Sequence, residues 1–153
     1  FHGFTLAPVV DGLPDAETVP VLEAVALPLV VHAGRAFPPD AAAETLLGRD
    51  IPVILAGFGG YPLDRGLMTD AIDLLDRYDR LYLDTAGVRF RSVLERALLE
   101  HPDRVLFGSG APEVHPNVSV MELLTLDVSE DAMRRVFSAN PSRVVSGLGP
   151  GES

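Results

Sequence analysis

The stretch Pro-Val-Ile-Leu-Ala-Gly-Phe-Gly-Gly at residues 52–60 joins a strand-length apolar run to a glycine-rich turn. Four other stretches have the same plan, and helix-like segments lie between them. The five apolar runs are Phe4–Leu6, Leu29–His32, Val53–Ala56, Leu81–Asp84 and Val105–Gly108. Because a parallel connection needs a crossover helix, this alternation predicts an α/β fold with βα repeats on a parallel sheet. Ligand sites in such folds lie at the carboxyl ends of the strands, so the residues after each run are the candidate functional residues.

Apolar periodicity and capping residues predict the helices between the runs. The predicted segments are residues 15–26, 41–47, 64–78, 89–100 and 129–137, followed by a short helix that begins at Asn140-Pro141. Residues 147–153 are rich in glycine and proline, which is typical of a frayed end. We therefore expect one domain over residues 1–146 and a flexible tail over residues 147–153.

The composition excludes several classes of function. The 153 residues, 47% of them hydrophobic, are enough for one domain with a sizeable core. A formal net charge of −10 disfavours nucleic acid and anionic membranes as partners. No apolar stretch approaches the roughly 18 residues of a membrane-spanning helix. The absence of cysteine removes disulfides, thiolate catalysis and cysteine metal sites, and it suits a cytoplasmic protein.

The runs and their tips also form an ordered series of motifs. They read GFTLAP at residues 3–8, PLVVHAG at 28–34, PVILAGFGG at 52–60, LYLDTAG at 81–87, RVLFGSGAP at 104–112 and NPSR at 140–143. In this order they resemble strands four to eight and the closing N-x-x-R of the amidohydrolase-related (amidohydrolase 2) metal-dependent hydrolases and decarboxylases. In that family, the fifth, sixth and eighth strands have the sequence patterns P-V-x-V-H-x-G, P-x-x-L-A-H-x-G-G and R-x-L-F-G-S-D-x-P.

This resemblance implies a partial TIM-type (β/α) barrel with five parallel strands and outer helices, in which the amino-terminal three βα units are absent. A whole barrel takes about 250 residues, which is more than this chain has. Five strands leave two open edges, and isolated proteins avoid open edges. We therefore expect a fragment of a longer protein, a homo-oligomer or a chain that a partner completes.

The resemblance implies one metal-ligand position and four replaced ones. His32 matches the fifth-strand histidine, which in the family binds zinc or a similar divalent ion. Gly57 stands in place of the sixth-strand histidine, and Gly110 stands in place of the eighth-strand aspartate that activates water. Ala7 and Thr5 replace the usual fourth-strand histidine and lysine. We therefore expect that the standard chemistry is lost and that the chain alone binds no catalytic metal.

Three other residues are weaker candidates. Asp84 ends the fourth run, where its carboxyl group would serve catalysis, although a structural hydrogen bond to a neighbouring loop is favoured. Glu113 and His115 follow the fifth run and form a metal-type pair, although a solvated loop is favoured there. We expect His32, Gly57, Asp84 and Gly110 at one rim of the sheet, and His101, which lies between a helix and a strand, at the other. Restoring Gly57→His and Gly110→Asp together is expected to raise the affinity for zinc.

These observations support two functions from different classes. The first is an amidohydrolase-related protein that acts on small carboxylated or cyclic substrates, with several metal and catalytic positions replaced. The alternative is a catalytically inactive barrel fragment that serves as a ligand-binding or subunit-interaction module. An open doubly wound sheet is a third architecture, but it needs a reversal of strand order. It also needs a phosphate loop, and the glycine clusters of this chain match neither G-x-G-x-x-G nor a Walker motif.

Overall fold

The computed structural model describes residues 2–146, in which five parallel strands form one sheet in the order of the sequence. The strands are β1 (Phe4–Leu6), β2 (Leu29–Val31), β3 (Val53–Leu55), β4 (Leu81–Asp84) and β5 (Val105–Leu106). Their register is continuous, since Phe4 pairs with Leu29, Leu29 with Val53, and Val53 with Leu81. The predicted parallel sheet is therefore confirmed, and the doubly wound order is excluded.

Helices follow every strand. They are α1 (Pro8–Asp11), α2 (Thr18–Val25), α3 (Pro39–Ala42), α4 (Arg65–Leu74), α5 (Arg91–Glu100), α6 (Pro116–Leu124), α7 (Glu130–Arg134) and α8 (Asn140–Val144). Wider π-helical turns extend α3 over Ala43–Leu47 and α7 over Arg135–Ala139, and a tight 3₁₀ turn at Ala56–Gly59 follows β3. The sequence did not predict α1 or α6. The expected flexible tail, residues 147–153, lies outside the described residues.

The two faces of the sheet are packed differently. Side chains alternate along a strand, so Val31, Leu55 and Leu83 lie on the face that the helices cover, where they are fully buried. This outer face forms the main hydrophobic core. The opposite face, which we call the inner face, carries the intervening residues, including Ile54 and Leu106. Among residues 2–146, the apolar cluster on this inner face is much the smaller of the two.

The last described residues cover part of the inner face. Val144 and Val145 pack against the inner-face cluster, which includes Leu106 of the edge strand β5. The carbonyl oxygen of Ser146 lies 2.7 Å from Nδ1 of His2, just before β1. Residues 144–146 therefore cross the inner face from one edge strand to the other.

Asn140 fixes the start of this crossing segment. Its side chain is fully buried, and its Nδ2 donates hydrogen bonds to the carbonyl oxygens of Pro102 at 2.7 Å and Val105 at 2.8 Å. Arg143 donates a hydrogen bond to Oδ1 of Asn140 at 3.3 Å and a second one to the carbonyl oxygen of Asp103. The N-x-x-R motif thus ties α8 to the amino-terminal end of β5.

Candidate functional site

The carboxyl ends of the strands meet at one rim of the sheet. Alternation along β2 and β4 places His32 on the same face as Val30, and Asp84 on the same face as Tyr82, which is the inner face. The amide of His32 donates to the carbonyl oxygen of Leu6 at 2.9 Å, so this residue continues the β1–β2 ladder. His32 and Asp84 therefore lie at the rim with their side chains on the inner face.

Asp84 is the centre of the best-connected part of this rim. Its Oδ1 accepts hydrogen bonds from the amides of Gly57 and Ala86, each at 2.9 Å. Burial raises the pKa of the Asp84 carboxyl above its ordinary value of 3.8, while the two amide donors and His32 lower it in part. The structure thus contains the hydrogen bond to a neighbouring loop that the sequence favoured. A catalytic role for Asp84 stays a prediction.

Glycine occupies positions at this rim where the backbone leaves little room for a side chain. Gly57 has a φ of +57°, and a Cβ added there would lie 2.7 Å from the carbonyl oxygen of Ala86. Gly110 has a φ of +72°, and its Cβ would lie 3.1 Å from the amide nitrogen of Gly87. Both conformations favour glycine. Gly57, Asp84 and Gly110 are therefore neighbours, as the sequence predicted, but two of them lie on a backbone adapted to glycine.

Thr5 and Ala7, which replace the lysine and histidine of the family's fourth barrel strand, lie in and just after β1 of this chain. Thr5 is exposed in β1 and pairs in register with Val30. Ala7 precedes α1, and its amide donates to Oδ2 of Asp11 at 2.7 Å. Neither residue offers an imidazole or amine group to the rim, so the structure adds no donor at these two positions.

The remaining predicted residues lie in separate places. His115 caps α6, because its Nδ1 accepts a hydrogen bond from the amide of Asn117 at 3.2 Å, and Glu113 is exposed in the preceding turn. The expected loop therefore ends at residue 115, and a helix begins at Pro116. Proline is common in the first turn of a helix, so Pro116 was the sequence feature that could have predicted this helix. His101 follows α5, and its Nε2 lies 3.7 Å from Oδ1 of Asp76, in the segment before β4. His101 is therefore at the opposite rim, as expected.

The donor set at the rim does not fit a divalent metal. A catalytic zinc site takes about three protein ligands and a structural one about four. Among residues 2–146, no group of three or more histidine and acidic side chains is placed to hold a metal ion. His32 has no second imidazole at Gly57, and one oxygen of Asp84 already accepts two amide hydrogen bonds.

A small cavity beside His32 was not predicted from the sequence. Its volume is about 160 Å³, and its lining residues are Pro8, Val9, His32, Gly34, Arg35, Ala36, Phe37, Tyr61 and Pro62. The tips of β2 and β3 meet here, since the amide of Arg35 donates to the carbonyl oxygen of Tyr61 at 3.4 Å. We call this cavity the rim pocket. Its lining comes from segments far apart in the chain, so no local sequence pattern indicated it.

A sequence model of the amidohydrolase family matches residues 3–146. The chain belongs to the amidohydrolase family. This confirms the resemblance drawn from the strand-tip motifs. No curated protein sequence matches the chain.

Solved structures of TIM-barrel and amidohydrolase type are similar to the described fold. An uncharacterised TIM-barrel protein from Bordetella bronchiseptica has a TM-score of 0.72 at 21% identity, with 88% of this chain and 53% of that chain covered. A putative 2-pyrone-4,6-dicarboxylic acid hydrolase from Pseudomonas putida has a TM-score of 0.72 at 17% identity, with 94% and 62% covered. A dihydroxybenzoic acid decarboxylase from a Polaromonas species, solved with bound manganese, has a TM-score of 0.56 at 18% identity, with 88% and 53% covered.

These similarities define how much of the family fold is present. The chain spans little more than half the length of these relatives, and identities near 20% show the fold alone. The five parallel strands of this amidohydrolase chain therefore correspond to part of a TIM barrel. In the described part of the chain, no helix is long and apolar enough to cross a membrane.

Proposed function

We propose that this amidohydrolase chain forms part of a site for small carboxylated or cyclic compounds, and that it holds no catalytic metal by itself. The observation that carries this proposal is the pair of amide hydrogen bonds on Oδ1 of Asp84. The carboxylate that shares the inner face with His32 stabilises the backbone of Gly57 and Ala86. One of its two oxygens is therefore engaged in structural hydrogen bonds, which leaves Oδ2 alone for a ligand or a proton.

Two further features support a binding role. The rim pocket is apolar apart from His32 and Arg35, and it opens beside the strand tips, where ligands bind in barrel folds. The relatives of known type include a decarboxylase of dihydroxybenzoic acid and a putative hydrolase of a pyrone dicarboxylic acid. A cyclic, acidic ligand for this chain is proposed from that pattern.

Metal binding by the purified chain tests the proposal. Equilibrium dialysis against zinc and against manganese, followed by elemental analysis, is expected to give less than one metal per chain. His32→Ala is expected to leave that amount unchanged. The matched control is His101→Ala, which removes a histidine from the opposite rim. One metal per chain that disappears in His32→Ala and persists in His101→Ala would overturn the proposal and favour a metal-dependent hydrolase or decarboxylase.

A second function, a subunit-interaction module, is favoured by the apolar residues next to the two edge strands. Val9, Val10 and Leu13 follow β1 and are 74%, 83% and 64% exposed. Val118, Met121 and Leu124 on α6 follow β5 and are 46%, 57% and 57% exposed. Exposed apolar groups beside unpaired strands are typical of surfaces that another polypeptide covers. A second copy or a completing chain is the proposed occupant.

The association state of the chain tests this second function. Sedimentation velocity over a range of concentrations is expected to show association that Val10→Lys and Met121→Lys weaken. Leu63→Lys is the control, because Leu63 is 44% exposed and precedes α4, the helix that connects the two inner strands β3 and β4. A chain that stays monomeric throughout, or association that all three variants weaken equally, would count against this function.

A further inference from the structure

The rim pocket has the size of a single ring. Its volume is about 160 Å³, and an engineered apolar cavity of about 150 Å³ is known to bind benzene. The apolar part of its lining comes from Pro8, Val9, Phe37, Tyr61 and Pro62. A planar ring would therefore fill the pocket, while a ligand of two rings would extend into solvent.

Arg35 is one of the residues that line this pocket, and part of its guanidinium group has no hydrogen-bond partner among residues 2–146. Its Nε lies 3.2 Å from Oδ2 of Asp64, and its side chain is 71% exposed. Among residues 2–146, Nε is the only atom of this guanidinium group that donates a hydrogen bond. The two outer nitrogens therefore keep the paired geometry that suits a carboxylate.

Asp64 holds Arg35 from a fixed position. Its other oxygen, Oδ1, accepts hydrogen bonds from the amides of Gly66 at 3.0 Å and Leu67 at 3.3 Å, so the carboxylate caps α4. These bonds, together with Arg35, keep the pKa of Asp64 below its ordinary value. A carboxylate that is charged and immobile orients the guanidinium group before any ligand arrives.

We propose that Arg35 selects single-ring carboxylates for the rim pocket, binding the carboxylate group through its two outer nitrogens while Asp64 holds Nε. The pocket supplies apolar contact for the ring, and Arg35 supplies the charge. In a chain with a net charge of −10, this cation counters the repulsion that an acidic ligand would otherwise meet. The assignment rests on the proposed function for the class of ligand, and it deepens that function by naming the residue that recognises the acid.

Benzoate and benzamide form the matched pair of probes, because they share a ring and differ in charge. Titration of the full chain, followed by NMR chemical-shift changes, is expected to show benzoate binding about tenfold more tightly than benzamide, since hydrogen bonds to charged groups are the stronger ones. Arg35→Gln is expected to weaken benzoate about tenfold and to leave benzamide unchanged. Asp64→Asn keeps the helix cap and is expected to weaken benzoate by a smaller factor.

Arg49→Gln is the control, because Arg49 also forms an exposed ion pair, 3.5 Å from Glu23, but precedes β3 and lies outside the pocket. It is expected to bind both probes as the unmodified chain does. Equal binding of benzoate and benzamide, absence of benzoate binding, or a loss of benzoate binding in Arg49→Gln equal to that in Arg35→Gln would overturn the inference. Equal binding of the two probes would overturn the inference and leave a site for cyclic compounds in place, whereas the metal content that tests the proposed function is measured separately.

Discussion

At the scale of single residues, Asp84 links the backbone to the chemistry of the rim. Its carboxyl group is half-buried and accepts two amide hydrogen bonds on one oxygen. Burial favours the protonated form, while the amides favour the ionised form, and the raised pKa shows that burial dominates. The carboxyl group that the sequence made a weak catalytic candidate thus accepts structural hydrogen bonds in this chain, and its catalytic role stays a prediction.

Substitutions of Asp84 should separate its hydrogen bonds from its charge. Asp84→Ala is expected to lower the free energy of unfolding by about 1–3 kcal/mol, because the amides of Gly57 and Ala86 lose their acceptor. Asp84→Asn keeps an acceptor oxygen, so its cost should be smaller. Urea denaturation measures both changes; equal costs would contradict the role of the hydrogen bonds.

The raised pKa of Asp84 also predicts that its contribution to stability depends on pH. Because the folded chain holds the Asp84 proton more tightly than the unfolded chain does, the stability contribution of this group falls as pH rises from 3.8 through the raised pKa. Carboxyl groups with lowered pKa values, such as those of Asp64 and Asp131, change the free energy of unfolding in the opposite direction. They do so equally in the unmodified chain and in Asp84→Asn, so their effect cancels in the comparison. The difference in free energy of unfolding between the unmodified chain and Asp84→Asn should therefore move in favour of Asp84→Asn as pH rises. A difference that is independent of pH would refute this assignment.

The backbone at Gly57 does not readily accommodate the histidine side chain that the family has at this position. A residue with a Cβ in this left-handed conformation costs roughly 1–2 kcal/mol, and the 2.7 Å approach to the carbonyl oxygen of Ala86 adds to that cost. We therefore expect Gly57→His to reduce the free energy of unfolding rather than to build a zinc site, in contrast to the expectation from sequence. Thermal denaturation of Gly57→Ala, with Gly48→Ala as a control in open space, measures the backbone part. Equal melting temperatures for the two alanine variants would argue against strain at Gly57.

At the scale of elements, side chains at helix ends fix how the helices meet the sheet. His115 and Asp64 accept amide hydrogen bonds at the starts of α6 and α4. Asn140 does more, because it reaches across to the carbonyl oxygens of Pro102 and Val105. A helix end and a strand end are thus joined by one buried amide group.

Asn140→Asp tests this junction with almost no change of volume. The substitution replaces a donor by an acceptor that faces two carbonyl oxygens, so the expected loss in free energy of unfolding is about 3 kcal/mol. Asn117→Asp makes the same chemical change at an exposed position of α6 and should cost less than about 0.5 kcal/mol. Chemical denaturation measures both. Similar losses for the two variants would show that the buried amide does not anchor α8.

At the scale of the whole molecule, the two faces of the sheet are packed differently within residues 2–146. The helices build the main core on the outer face, whereas a smaller apolar cluster that includes Val144 and Val145 lies on the inner face. This asymmetry is what a part of a barrel implies, because the side chains of further strands normally fill the interior. Most of the apolar packing among the described residues is therefore on the outer face of the sheet.

Neighbouring residues of β3 measure this asymmetry. Leu55 is fully buried on the outer face, and Ile54 is 3% exposed on the inner face. Truncation of a buried leucine or isoleucine to alanine costs about 2–5 kcal/mol, and we expect Leu55→Ala near the top of this range and Ile54→Ala near the bottom. Urea denaturation checks the order. An equal or greater cost for Ile54→Ala would mean that the inner face is as well packed as the outer one.

The sequence by itself determined the fold class and the family, because both depend on local patterns. Apolar runs such as residues 53–55 and 81–84 have strand length and are followed by glycine or small residues, and the order of their motifs identified the family. The carboxyl ends of parallel strands also placed Asp84 and His32 at one rim. These conclusions need only chain geometry and neighbours in sequence.

Only the tertiary structure decided which groups meet across the rim. The sequence names Asp84 as a carboxyl group but not that the amide of Gly57, 27 positions earlier, donates to it. Nor does it reveal that Arg35 and Tyr61 line one pocket, or that the backbone at Gly57 excludes a side chain. The physical reason is that hydrogen-bond partners, burial and free volume depend on distances between segments far apart in the chain. Those distances are fixed only when the sheet and its helices pack.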